Sequence, residues 1–430
     1  MGFSAIEKRV LDAIDSNKER IIDIAKKVQS FPELGYKEFE TSKLVKECFS
    51  ELELDIKDNI ACTGVKGALG TNDLFNVCLI GELDGVVCFE HPNAVFPTGA
   101  SHACGHNGQI ANLLGAAIGL TKSGIIDELS GKITFMATPA EEFIEPEYRQ
   151  KLKDEGKIKY FGGKQQLVYE GEFDDIDAAI MVHAQPENPE CGVYLDADSL
   201  GFVIKNVTFK GKSVHAAKPY DGVNALNAAA LAILGIHTCR ERFRDEDKIR
   251  VHFIITKGGD VVNAVPSEVK LECQVRGAST EATQKAARDV DEALKGAAAM
   301  VGAEVEIETI VGYQPFNLDK GLGKVFESVA LEFMDGGKIR HDVSMTGSSD
   351  IGDISLLVPT IQPMIGGFSG QLHAKEFSAA DDYIAYILPA KLMALTAVRL
   401  LENGAELGKK IKSGFKPMMT KEEYLKLLEG

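Results

Sequence analysis

Between Ser101 and Asn107 the chain reads Ser-His-Ala-Cys-Gly-His-Asn, which places a thiol and two imidazoles within five residues. Cys104 and His106 stand two apart, so both side chains can reach one cation, and as a thiolate Cys104 can bridge two. Gly105 lets the backbone turn tightly between them. Alone, a Cys-x-His reads equally as a buried thiol beside a hydrogen-bonded histidine. Four later stretches change that weighting: Pro139-Ala140-Glu141-Glu142, the strand that ends at His183, Lys212-Ser213-Val214-His215, and Leu372-His373-Ala374.

Adjacent Glu141 and Glu142 point in different directions, so one can ligate a metal while the other faces substrate. A carboxylate beside a cation-activated water is a suitable general base. The competing reading, two solvated glutamates at a helix start, suits the helix dipole. Pro139 and the buried strand before it instead fix the pair at a sheet edge. Cys104, His106, one glutamate of the pair, His183 and His373 together make a set of soft and borderline donors suited to zinc or a similar divalent metal. Five ligands suffice for two metals if Cys104 is shared.

The elements that must position these residues follow a rhythm of buried strand, polar residue, helix. Residues 4–28 read as one amphipathic helix and 37–52 as a second. The apolar run from Asn76 delivers Glu82 and Asp84 to its C-terminal edge, Lys132–Ala137 delivers the glutamate pair, and Ala178–Met181 leads to His183. Asn107 is expected to cap the helix that follows it. This is the rhythm of an α/β sheet, whose sites lie at strand C-terminal ends. From residue 198 the pattern changes. A strand at 202–209, a helix at 223–238, strands at 250–257 and 268–276, a helix at 280–302 and a strand at 304–310 predict a small antiparallel βαββαβ sheet with two helices on one face. The chain then returns with a helix near 320–334, a short helix opened by Asp350, a strand at 360–365, a long helix at 380–402 and a charged tail from Asn403 that is expected to be loosely held. The expected domains are 1–197, an inserted 198–310, and 311–430, which completes the first.

At 430 residues the chain holds two or three domains at roughly 100–200 residues each. Its net charge of −17 argues against nucleic-acid binding, which needs a basic face. No run approaches the ~18 apolar residues of a membrane span, and the charged N-terminus has no apolar leader core. Eight cysteines (48, 62, 78, 88, 104, 191, 239 and 273) show no pairing pattern, which fits reduced thiols in a cytoplasmic protein. His91, His102, His237, His252 and His341 are taken as structural.

Taken in order, FPELGYKEFET, GELDG, HACGHN, PAEE, the His183 strand, GKSVHAAKP, GG-x-x-x-NAVP with Arg276, and GQLHAKEF resemble the dimeric metal-dependent amidohydrolases related to aminoacylase, peptidase family M20. They lie nearest the branch that contains hippurate hydrolase, indole-acetyl-amino-acid hydrolases and aminobenzoyl-glutamate hydrolase. The resemblance spans residues 20–402. It implies an α/β fold, a phosphorylase/hydrolase-like mixed sheet with helices on both faces, plus an inserted ferredoxin-like α+β dimerisation domain. It also implies roles. Cys104 would bridge two divalent ions per subunit, His106 and His183 would complete one site, and Glu142 and His373 the other. Glu141 would act as base and then acid. Asp84 would orient a ligand histidine. His215 would reach the partner subunit's centre in a homodimer or higher oligomer and steady the oxyanion. Asn263 and Arg276 would hold the substrate's carbonyl and carboxylate. Zinc is the expected metal, with manganese, cobalt or nickel also compatible.

The chain departs from that pattern at three places. Asn107 replaces a usual Asp. Glu82 stands where distant relatives place a metal-binding histidine. The segment 143–175 is longer than the usual linker and is expected to be a surface insertion rather than a wall of the acyl pocket. The reading that follows is hydrolysis of an N-acyl or N-aroyl amino acid. A dipeptidase or carboxypeptidase on the same scaffold is the first alternative. A non-catalytic metal-binding interaction protein ranks last, because Glu141 and His215 are both present.

Overall fold

The computed structural model describes residues 2–186, 192–341, 343–344 and 346–430. In chain order the elements used below are α1 Ala5–Ser16, α2 Lys18–Gln29, α3 Phe39–Glu51, β1 Asp55–Ile60, β2 Gly64–Leu69, β3 Asn76–Glu82, α4 His106–Lys122, β4 Lys132–Thr138, α5 Pro146–Asp154, α6 Gly163–Glu170, β5 Ala178–Met181 and β6 His183–Pro186. There follow β7 Gly201–Lys210, α7 Ala225–Cys239, β8 Arg250–Lys257, β9 Glu268–Gly277, α8 Thr280–Val301, β10 Glu304–Val311, α9 Lys320–Ala330, β11 Thr360–Ile361, β12 Met364–Ser369 and α10 Leu388–Gly414.

The chain divides into two units. The first comprises Met1–Ala197, Asn317–Ser344 and Asp353–Lys421; the second comprises Asp198–Phe316, Met345–Gly352 and Glu422–Gly430. The first carries a mixed sheet in the order β1-β2-β4-β3-β5-β11. β3 pairs in parallel with β4 and with β5, so their C-terminal ends share one edge. Every residue of β3 is buried, as expected for a central parallel strand with both faces covered. Helix α4 is buried from His106 to Leu120 and packs among α1, α2 and α10. Its glycines permit that closeness: a Cβ on Gly119 would lie 2.4 Å from Cγ1 of Ile14. A smaller sheet pairs β6 in parallel with β12, which brings His183 beside the strand that leads to His373.

The second unit is an antiparallel sheet, β8-β9-β7-β10, packed on α7 and α8. Burial alternates along β7 and β9, so the buried side chains face the helices. The apolar centre includes Val207, Phe209, Leu271, Val275, Val290 and Leu294.

Several expectations need correction. The first helix is two: Asn17 breaks it and donates from its amide to the Ala13 carbonyl at 2.7 Å. Asn107 does not cap α4. Gly105 holds that place at φ +86°, and the Asn107 amide reaches the Ala25 carbonyl. The tail past Asn403 is not loose. Residues 402–405 leave helical geometry, α10 then resumes to Gly414, and a further helix, Lys421–Leu428, buries Tyr424. Segment 143–175 is not a surface insertion either. It folds as α5 and α6, and Arg149, Lys164, Gln165 and Gln166 are buried. Within the long apolar stretch Tyr383–Gly414, the most apolar 18 residues are 89 % buried in the fold. Seven cysteines are free thiols, and Cys191 lies outside the described residues.

Candidate metal centre

The C-terminal edge of β3, β4 and β5 gathers the chemistry. β3 ends at Glu82, with Asp84 two residues on; β4 ends at Thr138, with Glu141 and Glu142 just past it; His183 opens β6; and α4 starts at His106. Gly105, at positive φ, turns the chain so that Cys104 and His106 face the same space. A Cβ there would lie 2.5 Å from that of Ala184. His373 is placed by its backbone N–H, which donates to the Ala103 carbonyl at 2.8 Å.

Two donor triads result: Cys104, His106 and His183, and Cys104, Glu142 and His373, each with ligand atoms within 4.8 Å of one another. Cys104 Sγ lies 3.6 Å from His183 Nε2 and 3.3 Å from His373 Nε2, and His373 Nε2 lies 3.2 Å from Glu142 Oε1. Bonds of ~2.1 Å to nitrogen and ~2.3 Å to sulfur place tetrahedral donors roughly 3.3–3.6 Å apart. These separations would suit donors that share an ion.

The protonation pattern agrees. His106 Nδ1 donates to the Asp84 carbonyl at 2.8 Å, and His183 Nδ1 donates to the Ala184 carbonyl at 2.8 Å. A carbonyl can only accept, so each ring keeps a proton on Nδ1 and leaves Nε2 as the atom a cation would take. His106 Nε2, Glu142 Oε1 and Asp84 Oδ1 are buried without a hydrogen bond. Burial and the Glu142 carboxylate push the Cys104 thiol up. The imidazoles of His183 and His106 outweigh them and bring it down to about 6. Contacts with Cys104 and Glu142 hold His373 up at about 11. Here protons occupy the places where cations would bind, and cations would displace them.

The glutamate pair is held from three sides. The Glu142 N–H donates to Asp84 Oδ2 at 2.9 Å, and the Ala140 N–H donates to Glu38 Oε1 at 2.8 Å. Buried Arg149 donates to the Glu142 and Phe161 carbonyls. Glu141 Oε2 lies 3.9 Å from His106 Nε2, beside the first triad. Burial and the Asp84 charge raise Glu38 to about 8.

The residues assigned to substrate lie in the second unit. His215 is exposed on a loop paired with the segment that carries Asn263: Val265 donates to the Val214 carbonyl and Ala216 to the Asn263 carbonyl. The His215 Nδ1 accepts the Ala217 N–H at 3.1 Å, which leaves Nε2 with the proton in the neutral ring. Asn263 is exposed in the same loop pair. Arg276 is elsewhere. It sits at the far end of β9, opposite Phe202, where it donates to Ser348 Oγ at 3.0 Å and forms no ion pair among the described residues. The His215 loop follows the end of β7 that pairs with the start of β9, so ~3.3 Å per residue puts about 30 Å between Arg276 and the His215–Asn263 loops.

Four residues that surround the centre escaped the sequence reading as participants: Glu38, Gln109, Arg149 and Lys164. Glu38 lies inside the FPELGYKEFET motif, which was a usable signal. Lys164 and Arg149 had none, because a cation in a charged segment ordinarily reads as solvated.

The model of peptidase family M20/M25/M40 matches residues 78–388. The Xaa-Arg dipeptidase of Mus musculus is 27 % identical over 98 % of this chain and 94 % of its own length. The IAA-amino acid hydrolase ILR1-like 2 of Arabidopsis thaliana is 26 % identical over 94 % of this chain and 91 % of its own. Among solved structures, a dinuclear metal-binding peptidase of Bacillus subtilis superposes with a TM-score of 0.71 at 21 % identity, covering 90 % of this chain and 99 % of that one.

Proposed function

The chain belongs to peptidase family M20/M25/M40, and we propose that it is a two-metal amidohydrolase that cleaves an N-acyl or N-aroyl amino acid to a carboxylate and a free amino acid. The observation that carries this reading is the shared thiol: Cys104 belongs to both donor triads, with Glu141 beside the first of them. Zinc suits the thiolate and imidazole donors; manganese, cobalt and nickel fit the same set. When bound, the two ions supply Lewis acidity toward the scissile carbonyl and a water made acidic enough to lose its proton near neutrality.

The chain's own groups do the rest. Glu141 takes the proton of the attacking water and returns it to the departing amine. Asp84, through its carboxylate on the Glu142 N–H and its carbonyl on His106, fixes both ligands together. His215 presents a protonated Nε2 to the oxygen that becomes anionic. Arg276, with no carboxylate partner among the described residues, offers its guanidinium to the free carboxylate of the substrate.

The separation along β9 supports a homodimer. A substrate of this class spans far less than the roughly 30 Å between Arg276 and the His215 loop. One chain's His215 and Arg276 therefore serve different centres, and His215 and Asn263 are assigned to the partner's. The second unit has a surface suited to pairing: edge strand β8 exposes Ile254 and Ile255, and α7, apolar on nearly all sides, exposes Leu234. The free thiols among the described residues support the cytoplasm as its compartment.

Dipeptidase action is the second reading, favoured by the near full-length match to the mouse Xaa-Arg dipeptidase. Both substrate classes present a free carboxylate and an amide, so the centre would work identically. The test is elemental analysis followed by a panel of N-acyl and N-aroyl amino acids and dipeptides, read by released amine. Glu141→Gln should retain its metal and lose about 10²–10⁴-fold in turnover. A metal-loaded wild type that is inert on the whole panel, or a Glu141→Gln variant that keeps its activity, would overturn the reading.

A further inference from the structure

Glu82 and Lys164 form a fully buried pair directly behind the first triad, both at 0 % exposure. Lys164 Nζ lies 2.5 Å from Glu82 Oε1, and Gln109 Nε2 donates to Glu82 Oε2 at 2.6 Å. That same Oε2 is 3.2 Å from His106 Nε2, the nitrogen left without a proton by the bond from Nδ1 to Asp84. Glu82 is thus within a small movement of becoming a ligand. Its donor group with His106 and Glu141 competes for the nitrogen that the Cys104–His183 group also uses.

The consequence for the centre is specific. Cys104, His106 and His183 are three protein donors, the number that leaves a tetrahedral ion one open position; a fourth protein donor makes a closed structural site. We propose that Lys164 is a positioning residue that latches Glu82 out of the coordination shell and so keeps the first metal position open to water and substrate. Glu82 cannot swing onto an ion without giving up its buried contact with the Lys164 ammonium, and that loss opposes the movement. Gln109 adds a second restraint on the other carboxylate oxygen. Lys164 comes from α6, in the segment 143–175, so that segment contributes to the centre through this latch.

The inference rests on the two-metal reading, and the two fail differently: wild type that binds no metal sinks that reading, whereas the inference is tested by variants of a protein that does bind. Lys164→Met frees Glu82. Chelator competition should show at least tenfold tighter retention of one ion, and the cobalt-substituted protein should change its visible absorption as a carboxylate joins the shell, while turnover falls. The double variant Lys164→Met/Glu82→Gln removes both charges of the pair. It should return metal retention to within threefold of wild type and restore the cobalt spectrum. Unchanged metal retention and spectrum in Lys164→Met would make the lysine merely structural and overturn the proposal. So would a tenfold or greater loss of metal in the double variant, which would make Glu82 a ligand in wild type. If Lys164→Met does not fold, the double variant still decides whether Glu82 is a ligand.

Discussion

At the scale of single residues, two imidazoles have their tautomers chosen by backbone carbonyls, and this aims both at one thiol. The spacing of Cys104 and His106 made them legible in sequence, and the polar strand ends pointed to Glu141, Glu142 and His183. What no spacing could reveal was which buried charges stand behind them. Glu38 is such a case. Burial and Asp84 raise it to about 8, whereas an unfolded glutamate titrates near 4.5. Between those values the native state holds a proton that the unfolded chain has lost. Stability from this group is therefore complete below about pH 4.5 and is lost as pH rises through 8. In metal-free protein, urea midpoints for wild type should fall from pH 5 to pH 8 more steeply than those for Glu38→Gln, a difference on the order of a few kcal/mol. Parallel pH profiles for the two proteins would show that Glu38 is ionised in the native state.

At the scale of elements, the centre depends on how closely α4 can approach its neighbours. The apolar run after Asn107 announced a buried helix, but the contact of Gly119 with Ile14 in α1 is tertiary and was not legible. Gly119→Ala should destabilise the fold by about 1–3 kcal/mol through overpacking. Adding Ile14→Ala, which opens the space, should recover part of that loss, so the double variant is better than additive in denaturant unfolding. Strict additivity would mean that the two helices do not share this contact. The other misread elements have one cause. Asn107, the tail from Asn403 and the charged segment 143–175 are polar in sequence, and polarity was taken for a cap, a loose tail and a surface. Arg149 and Lys164 are buried because carbonyls of the site loop and a carboxylate receive them, and such pairing is decided only once distant segments meet.

At the scale of the whole molecule, the βαββαβ order from residue 201 to 311 was readable from alternation and helical periodicity, because each element of that unit has one buried face. The distance between Arg276 and His215 was not readable. It follows from register, since Glu268 pairs with Lys210 while Arg276 pairs with Phe202 at the other end. On the proposed reading, that distance makes each catalytic centre a product of two chains, and subunit exchange tests it. His215→Ala and Glu141→Ala homodimers should each be nearly inactive. After subunit exchange between them, about a quarter of wild-type activity should return, from mixed dimers with one intact centre each. No recovery, with exchange verified by mass, would place His215 and Glu141 in the same chain's centre.

The most direct test of the account is the metal stoichiometry of Cys104→Ser beside wild type, by elemental analysis after equilibration with limiting chelator. A thiolate common to both triads predicts about two ions per chain in wild type and about one or fewer in the variant, with the fold intact by circular dichroism. Two ions retained in Cys104→Ser at unchanged affinity would contradict the shared-thiol centre on which the hydrolase mechanism is built.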